Sequence, residues 1–223
     1  MKRDMHIIWY DKVDSTNSEA SRKLDSLDNL SVLSAETQFG GRGKDSNVWL
    51  AEPGVNLTFS IILKFGRSHN TPDFPARCQM LISAITAATV VSFLAGKGVK
   101  ANVKWPNDIY VDGKKICGIL IEHRTAGRLL ESSIVGVGIN LNQTVFPSSL
   151  PNPVSLSLLT GGKYDVRECL EEYCRLFADK LDSVYAGLPH LEDVVSRILA
   201  FEDGTSCNEN LRSGFMELVD IFL

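Results

Sequence analysis

The part of the sequence that decides the fold is KWPNDIYVDGKKICGILIE, which occupies residues 104–122. Within it, apolar and β-branched runs at residues 109–111 and 114–123 flank the pair Asp112-Gly113. Asp-Gly between two such runs is a strong signal for a tight turn, because that turn needs positive φ angles that Asp and Gly tolerate. The stretch therefore predicts a β-hairpin.

The second strand of this hairpin begins with two adjacent lysines. Side chains alternate along a strand, so Lys114 and Lys115 are expected to face opposite ways. Gly118 removes a side chain from the middle of the strand, which indicates that something packs against the backbone there. An inward lysine is costly unless an anion compensates its charge. Two interpretations remain open from these residues: an anion-binding lysine, or an exposed hairpin with two solvated lysines.

A glycine-rich polar loop, GGRGKDSNVW at residues 40–49, precedes this region. Glycines let a backbone approach a ligand closely, and consecutive amides can hold an anion. Arg42 adds a planar fork that suits a carboxylate or a phosphate. The loop lacks the ending and the spacing of a Walker A motif. A flexible surface loop is the alternative interpretation.

Hydrophobic patterning along the rest of the chain predicts further strands and helices. Strands are expected at residues 6–10, 31–36, 57–63 and 129–142, and helices at residues 16–27, 74–94, 165–185 and 191–201. Thr16 and Glu19 have the spacing of a capping box, and Gly96 is the expected C-cap of the second helix. This order predicts an α+β fold, with a mixed, largely antiparallel sheet flanked by helices.

The composition argues against several classes of protein. The 223 residues are 44% hydrophobic and 22% charged, which is ordinary for a globular domain with a real core. The net charge of -4, without a basic block, argues against a nucleic-acid partner. We see no apolar run long enough to span a membrane and no signal-peptide core, so we expect no membrane partner and a cytoplasmic location.

Five cysteines and four histidines are scattered along the chain. The cysteines are odd in number and include no C-x-x-C pair, and the histidines form no pair at helical spacing. A disulfide framework and a zinc site are therefore not expected, and all nine residues are interpreted as structural or surface residues.

The motifs in these segments together resemble the biotin–protein ligases, of the monofunctional type without an N-terminal DNA-binding domain. In chain order they are DSTN at residues 14–17, AE-x-Q-x-x-GRG at 35–43, Trp49, KWPND at 104–108, K-x-x-GILIE at 115–122 and G-x-GIN at 136–140. The resemblance implies a class II synthetase-like biotin/lipoate ligase catalytic domain at residues 1–188. A short C-terminal appendage is then expected at residues 189–223.

The resemblance also implies which residues meet which ligand. The expected biotin-binding residues are Ser15, Thr16, Asn17, Gln38, Arg42, Gly43, Lys44, Lys115 and Gly118. The expected ATP-binding residues are Arg42, Lys44, Trp49, Asn107, Lys115 and Asn140. Lys115 and Arg42 are the expected catalytic cations. No protein metal site is expected, since Mg²⁺ would bind through the phosphates of ATP, and Asp108 is interpreted as holding the Trp-Pro turn.

The activity implied by the resemblance is a two-step ligation. Biotin is activated with ATP as biotinyl-5′-AMP and then passed to a lysine of a biotin carboxyl carrier protein or domain of a carboxylase. Lys115 and Arg42 would neutralise charge where two anions meet, since positioning and electrostatics dominate such reactions. A homodimer formed through the sheet is left open.

The sequence departs from the family pattern in three places. The loop reads Lys44-Asp45-Ser46-Asn47 where relatives usually have a second arginine and a further glycine, which predicts a looser grip on the adenylate. The tail GFMELVDIFL, residues 214–223, is expected to be the last strand of a reduced version of the family's small β-barrel. The chain starts at the catalytic strand, so it is not expected to repress transcription.

Two other functions compete with the ligase interpretation. One is a lipoate- or octanoate-protein ligase or transferase, which has a similar fold and an active-site lysine. The other is a non-catalytic biotin-binding module. Turnover of ATP with biotin separates them.

Overall fold

A mixed eight-stranded sheet lies at the centre of the protein in the computed structural model, which describes residues 5–200 and 207–223. The strands are β1 His6–Val13, β2 Ser31–Gln38, β3 Leu57–Lys64, β4 Phe74–Pro75, β5 Asn102–Lys104, β6 Asp108–Val111, β7 Lys114–Ala126 and β8 Leu129–Ile139. Their spatial order is β1-β2-β3-β8-β7-β6-β5, with β4 paired to β8. β1 and β2 are parallel, and every other pairing between these strands is antiparallel. The predicted α+β fold class is confirmed.

Helices cover both faces of this sheet. They are α1 Thr16–Lys23, α2 Met80–Ala95, α3 Leu156–Thr160, α4 Val166–Ala200 and α5 Cys207–Ile221. Ile61 of β3 belongs to the large core that contains α2, α4 and α5, whereas its neighbour Ile62 belongs to a smaller core with Ala20 and Leu24. Since successive strand residues point to opposite faces, α1 covers the face opposite the three long helices.

The helix α2 is so apolar that its composition alone resembles a membrane span. The segment Ala76–Ala95 has a mean hydropathy of 1.8. The expectation that no apolar run is long enough to span a membrane was therefore wrong as a statement about length and composition. Most of the apolar residues between Leu81 and Leu94 on this helix lie in the large core. Because α2 contacts the sheet and both α4 and α5, packing inside the protein accounts for its composition.

The first two helices start and end differently from the sequence prediction. The helix α1 begins after Ser15, one residue earlier than a capping box on Thr16 requires, and it gives way to a short 3₁₀ turn at Leu24–Ser26. The helix α2 begins only at Met80, because Phe74 pairs with β8 and a 3₁₀ turn follows. Pairing with β8 therefore places Phe74 and Pro75 in a strand, although helix periodicity alone assigns them to α2.

The C-terminal region is helical at Val166–Ala200 and Cys207–Ile221, which corrects two predictions. The two helices expected at residues 165–185 and 191–201 are one helix, α4, which contains Pro189 in its interior. The expected last strand of a reduced β-barrel is instead part of α5. The boundary expected between residues 188 and 189 falls inside α4, and Phe215 of α5 lies in the same core as the sheet.

The predicted hairpin between β6 and β7 is confirmed. Asp112 and Gly113 have φ angles of 47° and 74°, the positive values that such a turn requires.

The hairpin also contains an irregularity that the sequence did not predict. Ile109 pairs with Cys117 and Tyr110 pairs with Lys115, so Ile116 is an extra residue without a partner on β6. A bulge of this kind shifts the alternation of side chains along the strand. It brings residues three positions apart, Lys115 and Gly118, to the same face of the sheet.

Candidate active site

Three glycines on adjacent strands form the floor of a cavity. Gly118 of β7 pairs with Gly138 of β8, and Gly136 lies two residues earlier on β8. The cavity at these glycines has a volume of about 260 Å³. The predicted ligand-binding residues that line it are Ser15, Thr16, Asn17, Gln38, Arg42, Gly43, Lys44, Trp49, Asn107, Lys115 and Gly118. Segments far apart in the chain therefore meet at one place.

The start of α1 forms one wall of this cavity. Thr16 N–H donates to Gln38 Oε1 at 2.7 Å, and Ser60 Oγ lies 2.8 Å from Thr16 Oγ1 and 2.6 Å from Asn17 Oδ1. These bonds fix the polar side chains to the sheet. Ser15 is the N-cap of α1 but makes no side-chain capping bond, and its hydroxyl has no partner among the described residues. That hydroxyl can therefore bond to a ligand.

The glycine-rich loop is a short hairpin that folds over the sheet. Arg42 and Val48 form an antiparallel bridge, and Gly43 N–H donates to Asn47 O at 2.7 Å. The side-chain amide of Asn47 donates to Lys44 O at 2.7 Å, which closes the tip. The loop thus holds its cations in defined positions on the cavity rim.

Trp49, at the end of this loop, lies directly on the glycine floor. A Cβ added at Gly118 would lie 2.9 Å from Trp49 Cζ3, and one at Gly138 would lie 2.7 Å from Trp49 Cζ2 and Nε1. These distances are too short for a real side chain, so both positions need glycine. The prediction that something packs against the backbone at Gly118 is confirmed. Trp49 Nε1 is buried without a hydrogen-bond partner in the described part of the chain.

A second cavity, of about 280 Å³, also borders Trp49. Its lining includes Tyr110, Lys115, Asn140, Leu150 and Pro153. Trp49 and Lys115 line both cavities, so each can contact ligands in either one. Asn140 lines only the second cavity.

Lys115 is the central cation of the two cavities. Its Nζ lies 2.7 Å from Asp108 Oδ1 and 5.8 Å from the centroid of the Trp49 ring. Lys114 is exposed, so the two lysines face different ways as predicted. Asp108 was interpreted as holding the Trp-Pro turn, but its carboxylate is paired with Lys115. An ammonium has three donors, so Lys115 keeps donors for a ligand while it is paired.

Arg42 is held by a residue to which the sequence assigned no role. Its Nη2 lies 2.5 Å from Glu122 Oε1, and its Nη1 lies 3.3 Å from Glu122 Oε2. Glu122 Oε2 also accepts a bond of 2.9 Å from Asn17 Nδ2. Glu122 is the last residue of the motif K-x-x-GILIE, and this position was the sequence signal that could have identified its role.

The two asparagines expected at the nucleotide are anchored through their amide nitrogens. Asn107 Nδ2 donates to Ile119 O at 3.1 Å, and Asn140 Nδ2 donates to Val154 O at 3.0 Å. Neither Oδ1 accepts a hydrogen bond within residues 5–200 and 207–223. The two oxygens are therefore the groups that can accept from a ligand.

Cysteine chemistry plays no part in this site. Burial raises the pKa of the Cys117 thiol well above its ordinary value, and Cys117 belongs to the large core although it lies on β7. The other described cysteines, Cys78, Cys169 and Cys174, are also buried and unpaired. The side chain of Cys207 lies outside the described residues.

Comparison with known proteins places this site within a family. The model described as the Biotin/lipoate A/B protein ligase family matches residues 9–140, which include most of the cavity residues. The chain belongs to this family.

Two relatives of similar sequence are named as ligases. The chain is 33% identical over 165 residues to the bifunctional ligase/repressor BirA of Bacillus subtilis strain 168, which covers 72% of this chain and 49% of that protein. It is 30% identical over 175 residues to the biotin–[acetyl-CoA-carboxylase] ligase of Paracoccus denitrificans, which covers 75% of this chain and 69% of that protein. The chain thus spans about half the length of the Bacillus relative.

A solved structure supports the same assignment. Biotin protein ligase from Aquifex aeolicus in complex with biotin and ATP superimposes with a TM-score of 0.68 at 26% identity. The match covers 81% of this chain and 72% of that one. The predicted ligase-type catalytic fold is confirmed.

Proposed function

We propose that the chain activates biotin with ATP as biotinyl-5′-AMP and transfers the biotinyl group to a lysine of a biotin carboxyl carrier protein. The observation that carries this proposal is the position of Lys115, which lines both cavities beneath Trp49. A cation shared by two adjoining cavities can serve a reaction that joins two ligands. The Paracoccus relative and the Aquifex structure, by their names, support biotin and ATP as those ligands.

The first cavity suits the biotin ring system. Ser15, Thr16, Asn17 and Gln38 present hydroxyl and amide groups on one wall, and the cavity that they share with Trp49 has room for a compact ring. A site that combines a mostly preformed shape with a few polar groups is typical for small ligands. The free hydroxyl of Ser15 is the group best placed to bond to the ureido ring.

The second cavity suits the nucleotide. Asn140 Oδ1 can accept from an adenine amine there, and Trp49 provides an aromatic surface, while Asn107 lies on the rim of the first cavity. Lys44 and Arg42 provide positive charge for the phosphates. Within the described residues no group of three His, Cys, Asp or Glu side chains could hold a metal ion. We expect Mg²⁺ to bind through the ATP phosphates, where it would neutralise charge.

The proposed first step joins two anions. A carboxylate oxygen of biotin forms a bond to the α-phosphorus, the bond from that phosphorus to the β-phosphate oxygen breaks, and pyrophosphate leaves. Lys115 lies where the two ligands would meet and can stabilise the charge that develops there. Asp108, at 2.7 Å, orients the ammonium without using all of its donors.

The proposed second step consumes the mixed anhydride. The uncharged amine of the acceptor lysine forms a bond to the carbonyl carbon, the bond to the AMP oxygen breaks, and the nitrogen loses a proton. The glycine-rich hairpin lies over the cavity in which the anhydride would be bound, and it can keep water away from it. The proposal includes a cytoplasmic location and no membrane partner, and it leaves a homodimer open. It also includes no nucleic-acid partner, which the net charge of -4 supports.

The test is biotin-dependent exchange of pyrophosphate into ATP. Lys115→Ala is expected to lower the exchange rate by about 10²–10³, the usual cost of one lost transition-state donor. The matched control is Lys114→Ala, which removes the same charge from the neighbouring, exposed position and is expected to change little. Exchange with lipoate but not with biotin would mean that lipoate is the substrate. No exchange with either would mean that the protein is a non-catalytic binding module.

A further inference from the structure

Both main cations of the cavity are already engaged by carboxylates, but in different ways. Lys115 contacts one oxygen of Asp108. Arg42 contacts both oxygens of Glu122, through Nη1 and Nη2. The guanidinium face formed by these two nitrogens is therefore filled, and it is one of the two faces that can bind a carboxylate or a phosphate through two bonds. A ligand anion can reach this face only by displacing Glu122.

Glu122 has other partners when Arg42 leaves it. Its Oε2 still accepts the 2.9 Å bond from Asn17 Nδ2, and its side chain is 35% exposed, so water can hydrate the rest. Asn17 itself is held by a second bond of 3.1 Å to Leu120 O. The exchange therefore strands no buried charge and needs no movement of the cavity wall.

The charges around the cavity indicate why such an exchange matters. The cationic side chains Arg42, Lys44 and Lys115 are accompanied by Asp45, Asp108 and Glu122, an equal number of carboxylates. An anion that enters this balanced set gains more attraction when a carboxylate gives up its cation. Glu122 can do so at less cost than Asp108, because its side chain is 35% exposed, whereas the Asp108 side chain is 20% exposed and its Oδ1 is buried.

We propose that Glu122 is a positioning residue that competes with the anionic group of the ligand for the Arg42 guanidinium. The inference rests on the proposed function, because it takes the ligand to be biotin or its adenylate. Glu122 thereby holds Arg42 and Asn17 at the cavity wall and weakens the binding of the anionic intermediate. Arg42 and Glu122 are 45% and 35% exposed, and such partly exposed pairs contribute little. The expected effect is about two- to fivefold in affinity, equivalent to about 0.4–1 kcal/mol.

The test compares a charged and an uncharged ligand by titration calorimetry. The charged probe is a biotinyl-5′-AMP analogue in which a methylene replaces the carbonyl, so that the phosphate remains and transfer is blocked. The uncharged probe is biotinamide. Glu122→Gln keeps the size of the side chain and an acceptor for Asn17. It is expected to bind the analogue about two- to fivefold more tightly and biotinamide unchanged.

Two further variants separate this role from a structural one. In an Arg42→Ala background, Glu122→Gln is expected to have no effect on the analogue. Asp25→Asn is the matched control, because it also removes one negative charge from an ion pair, but outside the cavity. Asp25 lies 3.3 Å from Arg124, which is on β7 like Glu122. It is expected to change neither affinity. If Glu122→Gln does not fold, Glu122→Asp draws the carboxylate back by one methylene and is expected to tighten analogue binding as well.

The outcomes distinguish this inference from the proposed function. Wild-type protein that binds neither probe and supports no exchange overturns both. Binding of the probes without tightening in Glu122→Gln, equal tightening of both probes, or tightening that persists without Arg42 overturns the inference alone.

Discussion

The substitution Gly138→Ala tests whether Trp49 really rests on the glycine floor. The added Cβ would lie 2.7 Å from Trp49 Cζ2 and Nε1 and closer still to Cε2. Ordinary contact between carbon atoms begins near 3.5 Å, so the ring or the strand must move by roughly 1 Å. Gly138 is not among the glycines with positive φ, so backbone strain does not contribute.

Two opposing terms set the size of the effect. Overpacking a filled site costs about 1–3 kcal/mol. Replacing glycine by alanine restricts the unfolded chain, which offsets about 0.4–1 kcal/mol. The net destabilisation is therefore about 1–2 kcal/mol, which lowers the melting temperature by about 2–8 °C for a chain of this size. Gly118→Ala should cost less, because its nearest ring atom lies at 2.9 Å.

The assay is urea denaturation of a double-mutant cycle. Gly138→Ala is measured in the wild-type protein and in a Trp49→Ala background, where the colliding ring is absent. The penalty should vanish or change sign in that background, with unchanged denaturant slopes. An equal penalty in both backgrounds would refute the packing of Trp49 on β8.

Three further predictions concern other parts of the molecule. Lys44→Arg should slow the release of biotinyl-AMP by up to about fivefold, because a guanidinium can bind the phosphate through two bonds; equal release rates contradict this. Burial lowers the pKa of His123 below its ordinary 6.5, so the unfolded chain takes up the proton first and stability should fall as pH drops below about 6.5. His123→Gln should remove this slope in denaturation measured from pH 7.5 to 5.5, and an unchanged slope would assign it to another group. Phe215→Ala should destabilise by about 3 kcal/mol in urea denaturation, because Phe215 is 3% exposed; a loss below about 1 kcal/mol would mean that α5 does not pack on the core.

Local patterns were sufficient to predict most of the sheet. The alternation and the turn residues predicted the β6–β7 hairpin, and the β-branched run predicted β3. These signals are reliable because a two-residue turn depends on the φ angles of its own residues, Asp112 and Gly113. The motifs likewise indicated the residues that meet at the cavity.

The helices show where local patterns fail. The spacing of apolar residues predicted two helices, at residues 165–185 and 191–201, where the structure has one helix with Pro189 inside it. A proline in a helix interior lacks an N–H, and its ring crowds the preceding turn. The helix nevertheless continues, and Leu188 and Leu191 on either side of Pro189 both lie in the core. The tail was predicted as a strand because the family resemblance implies a small C-terminal β-barrel, but contacts of α5 with α2 and α4 select a helix. In both cases packing against distant segments outweighs the local preference.

The sequence by itself determined the hairpin, the fold class and the identity of the residues that line the cavity. The tertiary structure alone decided how those residues are partnered. Arg42 reaches Glu122 across 80 positions of the chain, and Asn17 reaches it across 105. The physical reason is that a motif specifies the chemistry of a side chain, whereas its partner depends on strand order and register. The bulge at Ile116 shows this most directly, because one unpaired residue places Lys115 beside Gly118 and hence beneath Trp49.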